Sequence, residues 1–433
     1  MEKKRKQLHD AGGNAVLTAI YSQINRGNWQ VIRALSIALV IFQGLTFAQG
    51  GGPRQQPLVS LKTVPVPQPT NIAQYVKDQP TLVALGKALF WDMQVGSDGK
   101  TACASCHFHA GADHRVQNIL APTTSAGGPV VVNQTVTAST FPFHQLANVG
   151  SNSSAVVKDT RQVAGSAGAF PRSFSGLELG ADALNGADIV GGTSSLGGIN
   201  VRQVGNRNTP SVINAVFNVR NFWDGRASRL FTGQTPFGAT DSGLNAVVLS
   251  NGQLVREAVA VNNASLASQA VGPPLSTAEM SYLGQTWQML ARKMLALAPL
   301  SRQLVASDDS VLGVMANTNG NGLQPAFTYV ALIQKAFQPA YTSGTTLVDG
   351  QFTQLETNFS LFWGLAIQAY ESTLVADNTR VDQFVEGRQQ ALSALEQQGS
   401  QVFGSNNAQC TQCHQGAEFT AASYTNSANT PVE

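Results

Sequence analysis

Charge is scarce in this chain: only 12% of its 433 residues are Asp, Glu, Lys or Arg. What basic excess exists sits at the front, where residues 1–48 hold six of the 27 Lys and Arg but two of the 25 acids. The remainder is slightly acidic, which excludes the basic footprint of a nucleic-acid-binding protein. Cysteine is scarcer still, four in all, and none stands outside two short motifs. That excludes the disulfide framework that staples small secreted domains. No apolar run is long enough for a comfortable membrane span, which takes about 20 residues. Glycine (41) and proline (18) are plentiful and point to long irregular connections, while an apolar fraction of 43% is ordinary for a soluble protein. The length suffices for about two or three modest domains.

The four cysteines form Cys103-Ala-Ser-Cys106-His107 and Cys410-Thr-Gln-Cys413-His414. A zinc knuckle, a thioredoxin-like redox pair or a disulfide would each explain a lone CxxC. Here both pairs are followed directly by His, and no cysteine is left over. Two thiols on one helical turn can each add to a vinyl group of haem, and the adjacent imidazole then falls beneath the iron. Both motifs are therefore read as c-type haem attachment sites, with His107 and His414 as iron ligands.

Residues 1–48 have the pattern of an export signal or N-terminal anchor. Lys3, Lys4, Arg5, Lys6, Arg26 and Arg33 precede the apolar run 34–47, and Thr46-Phe47-Ala48 offers small residues at the cleavage positions. Uncleaved, the run would tether the protein to a membrane; in either case the body is exported, which gives a periplasmic location. Residues 49–79 read as a linker, with three consecutive glycines and the prolines of 64–69. A helix is expected from Pro80, with Leu82, Leu85, Leu89 and Phe90 on one face. Ser393 and Glu396 form a capping box for a second such helix. Gly86 and Phe90 stand ahead of the first motif as Gly399 and Phe403 stand ahead of the second, each glycine admitting close approach of a helix or of haem. Between Ala110 and Gly205 the composition predicts loop with short strands, and Asn251-Gly252 predicts a hairpin turn. Phe352, Leu355, Phe359, Phe362, Ala366, Tyr370 and Leu374 keep helical spacing and read as core.

The stretches Leu85-Gly86-Lys87-Ala88-Leu89-Phe90-Trp91-Asp92, Arg207-Asn208-Thr209-Pro210, Phe222-Trp223-Asp224-Gly225-Arg226-Ala227, Gln269-Ala270 and Glu279-Met280 follow in order around the haem motifs. In that order and wording, over residues 80–420, the chain resembles bacterial dihaem cytochrome c peroxidases and their MauG-type relatives. The resemblance implies that Glu279 is the catalytic glutamate, moving a proton between the peroxide oxygens. Read alone, Glu279 is equally a helix-capping acid after Ser276-Thr277. Gln269 matches a distal-pocket glutamine, or is a buried structural amide. Trp223 matches the tryptophan between the two haems, where an indole can also serve simply as core. Asn208 matches a calcium ligand between the domains, the family's other calcium ligands lying beyond residue 433. Arg207 and Arg226 can pair with haem propionates or with ordinary carboxylates.

Two departures stand out. The family's removable distal histidine has no counterpart in 198–202, so the first haem's pocket is expected to be open without activation; His109, His114 and His144 are the remaining histidine candidates. After His414 there is no Met, so the second module looks cut short and Tyr424 is the downstream residue resembling a ligand. The expectation is a mainly α protein of two cytochrome c-like haem domains. The first, 80–385, carries long loop-rich insertions, and the second, 386–433, is truncated. It would reduce hydrogen peroxide with electrons from a small cytochrome c or cupredoxin. A MauG-type oxidase acting on a protein, and a plain dihaem electron carrier, are the competing expectations.

Overall fold

The computed structural model describes residues 58–427, apart from 118, 123–134, 161, 192–193 and 197; the export segment lies outside the described residues. Among the described residues ten helices run in the order α1 (Gln79–Trp91), α2 (Ser265–Ala270), α3 (Trp287–Leu295), α4 (Tyr329–Ala336), α5 (Pro339–Thr342), α6 (Gln354–Thr357), α7 (Phe359–Glu371), α8 (Arg380–Val385), α9 (Ala394–Phe403) and α10 (Tyr424–Ser427). Helix outweighs strand, 31% against 15%. Among the described residues the strands make two-stranded antiparallel ribbons: Leu120–Pro122 with Gln162–Ala164, His144–Leu146 with Val156–Asp159, Arg172–Gly176 with Asn185–Asp188, Ser195–Leu196 with Ile199–Asn200, and Asn245–Ser250 with Gln253–Ala258. The first four lie in the segment expected to be loop-rich. The last turns at Asn251 and Gly252, with φ of 49° and 77°, as the Asn-Gly pair predicts.

Helix α7 is the axis of the core, because every one of its residues is buried. Around it lie α1, α2, α3 and α4, with Phe359, Trp363 and Trp287 in mutual contact and Phe362 against Phe337. The helix does not extend back to Phe352 as one piece. Asn358 divides α6 from α7, exchanging hydrogen bonds of 2.8 Å with both backbone groups of Val247. Helix α1 begins as expected: Pro80 sits in the first turn, and Asp78 accepts from the Thr81 amide at 2.8 Å. It crosses α7 at Gly86, where a Cβ would overlap the Ala366 carbonyl oxygen and stand 2.9 Å from the Tyr370 Cβ. Only glycine permits that approach.

A buried cation lies at the far end of this core. Lys293 of α3 is fully enclosed, and its Nζ donates to the carbonyls of Val95, Gly96 and Asp182 at 3.3, 2.8 and 3.3 Å. Burial pushes its pKa down to about 8 against the pull of Asp92, Asp98 and Asp182.

Residues 58–78 do not run free. Ser60 donates to Glu386 at 2.7 Å, the Leu61 amide donates to Asp382 at 2.8 Å, and Leu61 joins Ala215, Phe217, Leu266 and Ala417 in a second apolar cluster. Tyr75 and Val76 enter the main core. This stretch is a strap across the surface, its apolar residues outweighing the solvation that its prolines favour.

Helix α9 carries the expected capping box between Ser393 and Glu396. The parallel with α1 stops there. None of its residues is buried, Leu395 and Val402 are 77% and 63% exposed, and a Cβ on Gly399 would meet nothing within 4 Å. Close approach at Gly399 is therefore corrected: the glycine has no helix against it among the described residues. The segment after α9 returns to the body, where the Val219 amide donates to Ala422 O at 3.0 Å and Asn218 pairs with Ser423.

Candidate haem centres

At the first motif, Cys103 to Ser105 form one tight turn, with the amides of Cys106 and His107 both bonded to the Cys103 carbonyl at 3.1 and 3.0 Å. Both thiols are free and partly accessible. The His107 Nδ1 lies 2.8 Å from the Pro210 carbonyl, which makes Nδ1 the protonated nitrogen and leaves Nε2 as the ligating one. Burial lowers the His107 pKa to about 4, so the ring stays neutral. The Phe90 ring stands 6.0 Å from the imidazole, and Tyr370 supports Phe90 edge-on at 5.4 Å.

The second motif repeats this geometry. His414 Nδ1 faces the Phe419 carbonyl at 3.1 Å, and Phe403 stands 6.0 Å from the ring. Cys413, unlike its counterpart, is exposed. Ala421 donates to the Cys413 carbonyl at 2.7 Å, so the strand contact at 422–423 follows directly from the haem motif. Tyr424 turns toward Ser265 of α2 and Arg229, and burial raises its pKa.

Glu279 lies on a tight turn, not on the helix start expected from Ser276-Thr277: the amides of Glu279, Met280 and Ser281 all bond to the Ser276 carbonyl at 3.1, 3.0 and 3.0 Å. The Ala169 amide donates to Glu279 O at 2.9 Å, and Gly168 comes so close that a Cβ would overlap the Ala278 carbonyl oxygen. The inserted segment thus pins the glutamate against the haem motif, with Ala167 O 3.8 Å from Cys106 Sγ. Burial raises the Glu279 pKa, opposed by the Ser276 hydroxyl and by Arg226, and its charge is felt at both Cys103 and Cys106. Gln269 lies half-buried in α2, its carbonyl accepting from Gly272.

Trp223 is 67% exposed, so core packing is not what places it. It sits in a loop closed by reciprocal 3.2 Å bonds between Asn221 and Ala227, with Phe222 at a φ of 64°. Its Nε1 donates to Asn208 O at 3.1 Å. Asn208 in turn donates Nδ2 to Asp113 O at 3.2 Å. Among the described residues no group of three or more His, Cys, Asp or Glu could hold a metal ion. Arg226 pairs with Asp224 at 2.8 Å and covers the Phe222 ring at 3.9 Å, while Arg207 is exposed. His109 and His114 are exposed, and so is His144, 3.8 Å from Asp159.

The sequence profile described as di-haem cytochrome c peroxidase matches residues 80–182 and 185–390, more than half of the chain. The chain belongs to that family. It is 25% identical over 234 residues to cytochrome c peroxidase Ccp of Escherichia coli (strain K12), covering 54% of this chain and 31% of that protein. It is also 25% identical over 222 residues to cytochrome c551 peroxidase of Pseudomonas aeruginosa, covering 51% and 40%. Cytochrome-c peroxidase IdrP1 of Denitromonas iodatirespirans matches at 39% over 81 residues, 18% of this chain and 20% of that one. The chain therefore spans well under half the length of these relatives.

Di-haem cytochrome c peroxidases by their family description imply covalently bound haem, and the residues present fit it. Each motif offers two unpaired thiols and an imidazole whose second nitrogen is already committed to a carbonyl. Sequence reasoning missed those carbonyls, since Pro210 and Phe419 act through the backbone. It also missed Asp113 and Arg115. Arg115 Nη2 lies 3.4 Å from Cys106 Sγ, and the only signal for it in the sequence is an acid and a base of opposite charge two residues apart. Glu371, buried at the end of α7 with its pKa raised to about 8 by burial, belongs to no motif that the sequence displays.

Proposed function

We propose that this family member is an exported dihaem c-type peroxidase that reduces hydrogen peroxide to water, drawing electrons from a small cytochrome c or cupredoxin. Haem, when bound, supplies the redox chemistry; the protein supplies ligands, access and protons. What supports the reading above all is Glu279, whose backbone carbonyl is held by the Ala169 amide at 2.9 Å and whose carboxyl charge reaches both thiols of the first motif. A carboxyl with a burial-raised pKa can accept a proton from one peroxide oxygen and return it to the other. Gln269 is assigned to orient peroxide by hydrogen bonding. His107 would hold the haem iron through Nε2, its ring fixed by the Pro210 carbonyl.

Residues 386–433 are assigned to the second haem module, the electron entry. From Cys413 a continuous path of backbone and hydrogen bonds runs through Ala421, Ala422 and Val219 to Trp223, then through Asn208 and Pro210 to His107. The indole at the middle of that path is assigned as the relay.

Replacing Glu279 by Gln is expected to lower peroxide turnover by on the order of 10² to 10⁴, with both haems still attached. Turnover with reduced cytochrome, read together with haem content by mass, tests this. Unchanged turnover removes Glu279 from the reaction. Slow turnover by the unaltered protein with every small donor, alongside oxidation of a protein substrate, would favour the MauG-type reading instead.

A further inference from the structure

We propose that Asp113 and Arg115 form a positioning pair that sets the reduction potential of the haem carried by Cys103 and Cys106. The proposal rests on the dihaem reading above and adds a role separate from attachment and proton transfer. The Arg115 Nη2 donates to Cys106 Sγ at 3.4 Å and to Ala167 O at 3.2 Å. Its Nε and Nη2 hold Asp113 at 2.9 and 2.6 Å, and the Arg115 amide bonds the same carboxylate at 3.0 Å. The Asp113 side chain has no exposed surface. Its backbone is fixed as well, the amide donating to Thr209 O at 3.0 Å and the carbonyl accepting from Asn208. A guanidinium fork clamped at so many points has no rotamer freedom left to lose.

The charges around the two sulfurs differ. Both feel the Glu279 carboxyl, but Cys103 also has Glu371 near it, while Cys106 has Arg115 in contact and Asp113 behind it. Uptake of one electron from a donor or chemical reductant lowers the charge of the haem by one. A cation at its edge therefore favours the reduced form and an anion the oxidised form, and low-dielectric surroundings strengthen both effects. Arg115 raises the potential, and Asp113 limits that rise.

The test is spectroelectrochemical titration of the haem-loaded full chain and of Arg115→Gln, Asp113→Asn and Arg115→Lys. Haem at each motif is confirmed by mass, and folding by circular dichroism. Arg115→Gln leaves Asp113 uncompensated and should lower the reduced-to-oxidised ratio of this haem at fixed potential by about tenfold, 59 mV for one electron. Asp113→Asn leaves the guanidinium bare and should shift the ratio the opposite way. Arg115→Lys, which keeps the charge, should shift it least, and the haem at Cys410 and Cys413 should not move. A merely structural pair predicts shifts of one sign or none, and either result overturns the proposal. Should Arg115→Gln fail to fold, Asp113→Asn decides alone: a rise supports the proposal, and a fall or no change overturns it. Absence of haem on Cys106 in the unaltered protein would sink the dihaem reading itself, and this proposal with it.

Discussion

Gly86 and Gly399 occupy matching places ahead of the two haem motifs, yet the structure predicts opposite outcomes for the same substitution. In Gly86→Ala the new methyl meets the Ala366 carbonyl oxygen and the Tyr370 Cβ. A backbone carbonyl inside α7 cannot rotate away, so α1 and α7 must separate. Overpacking of this kind costs about 3 kcal/mol at the upper end of its usual range. Alanine returns about 1 kcal/mol of helix propensity, leaving a net loss of about 2 kcal/mol. Gly399→Ala meets nothing within 4 Å and keeps only the propensity gain, so it should be neutral or stabilising by up to about 1 kcal/mol. Urea denaturation of the haem-loaded proteins, followed by far-ultraviolet circular dichroism and compared at equal m, reads the difference. Because Phe90 lies one turn from Gly86 and stands 6.0 Å from His107, the Soret dichroism should change in the first variant alone. Equal effects at the two glycines would refute the reasoning.

Lys293 makes stability depend on pH. Its pKa is about 8 in the folded protein against 10.5 ordinarily, so the unfolded chain binds more protons between those values and stability rises with pH across that window, by up to about 1.4 kcal/mol per unit. Denaturation midpoints measured from pH 7 to 11 should show the rise, and Lys293→Met should flatten it. Trp223→Phe removes the hydrogen bond to Asn208 O. It should slow electron passage from the second haem to the first in flash or stopped-flow reduction, without altering haem content; an unchanged rate would remove the indole from the path.

How much was legible in the sequence depended on how local the cause was. Pro80, the Ser393-Glu396 box and the Asn251-Gly252 turn all act within a few residues, and each appears where the pattern puts it. The apolar stripe from Phe352 to Leu374 is buried as read, but its helix is broken because Asn358 captures the distant backbone of Val247. Nothing in residues 58–78 announces that Leu61 finds a pocket by Phe217, so the strap reads as linker. At the haem motifs the cysteines and histidines declare themselves. The carbonyls that orient His107 and His414 do not, since any residue type can offer one. Gly168 belongs to the same class: it places Glu279 by being small, and a glycine in a glycine-rich segment carries no mark.

The pairing of Asn218 and Val219 with Ser423 and Ala422 sets the spacing of the two haem motifs by contact, not by tether. Beyond α8, which Ser60 and Leu61 hold in place, the chain leading to the second motif has only to be long enough to reach. Each doubling of such a loop costs about 0.6 kcal/mol, so it can grow at little expense. Under the proposed relay, an electron passing between the motifs would not register that growth, because the strand contact holds their spacing. The molecule works as a caliper whose jaws stay fixed however the handle is redrawn.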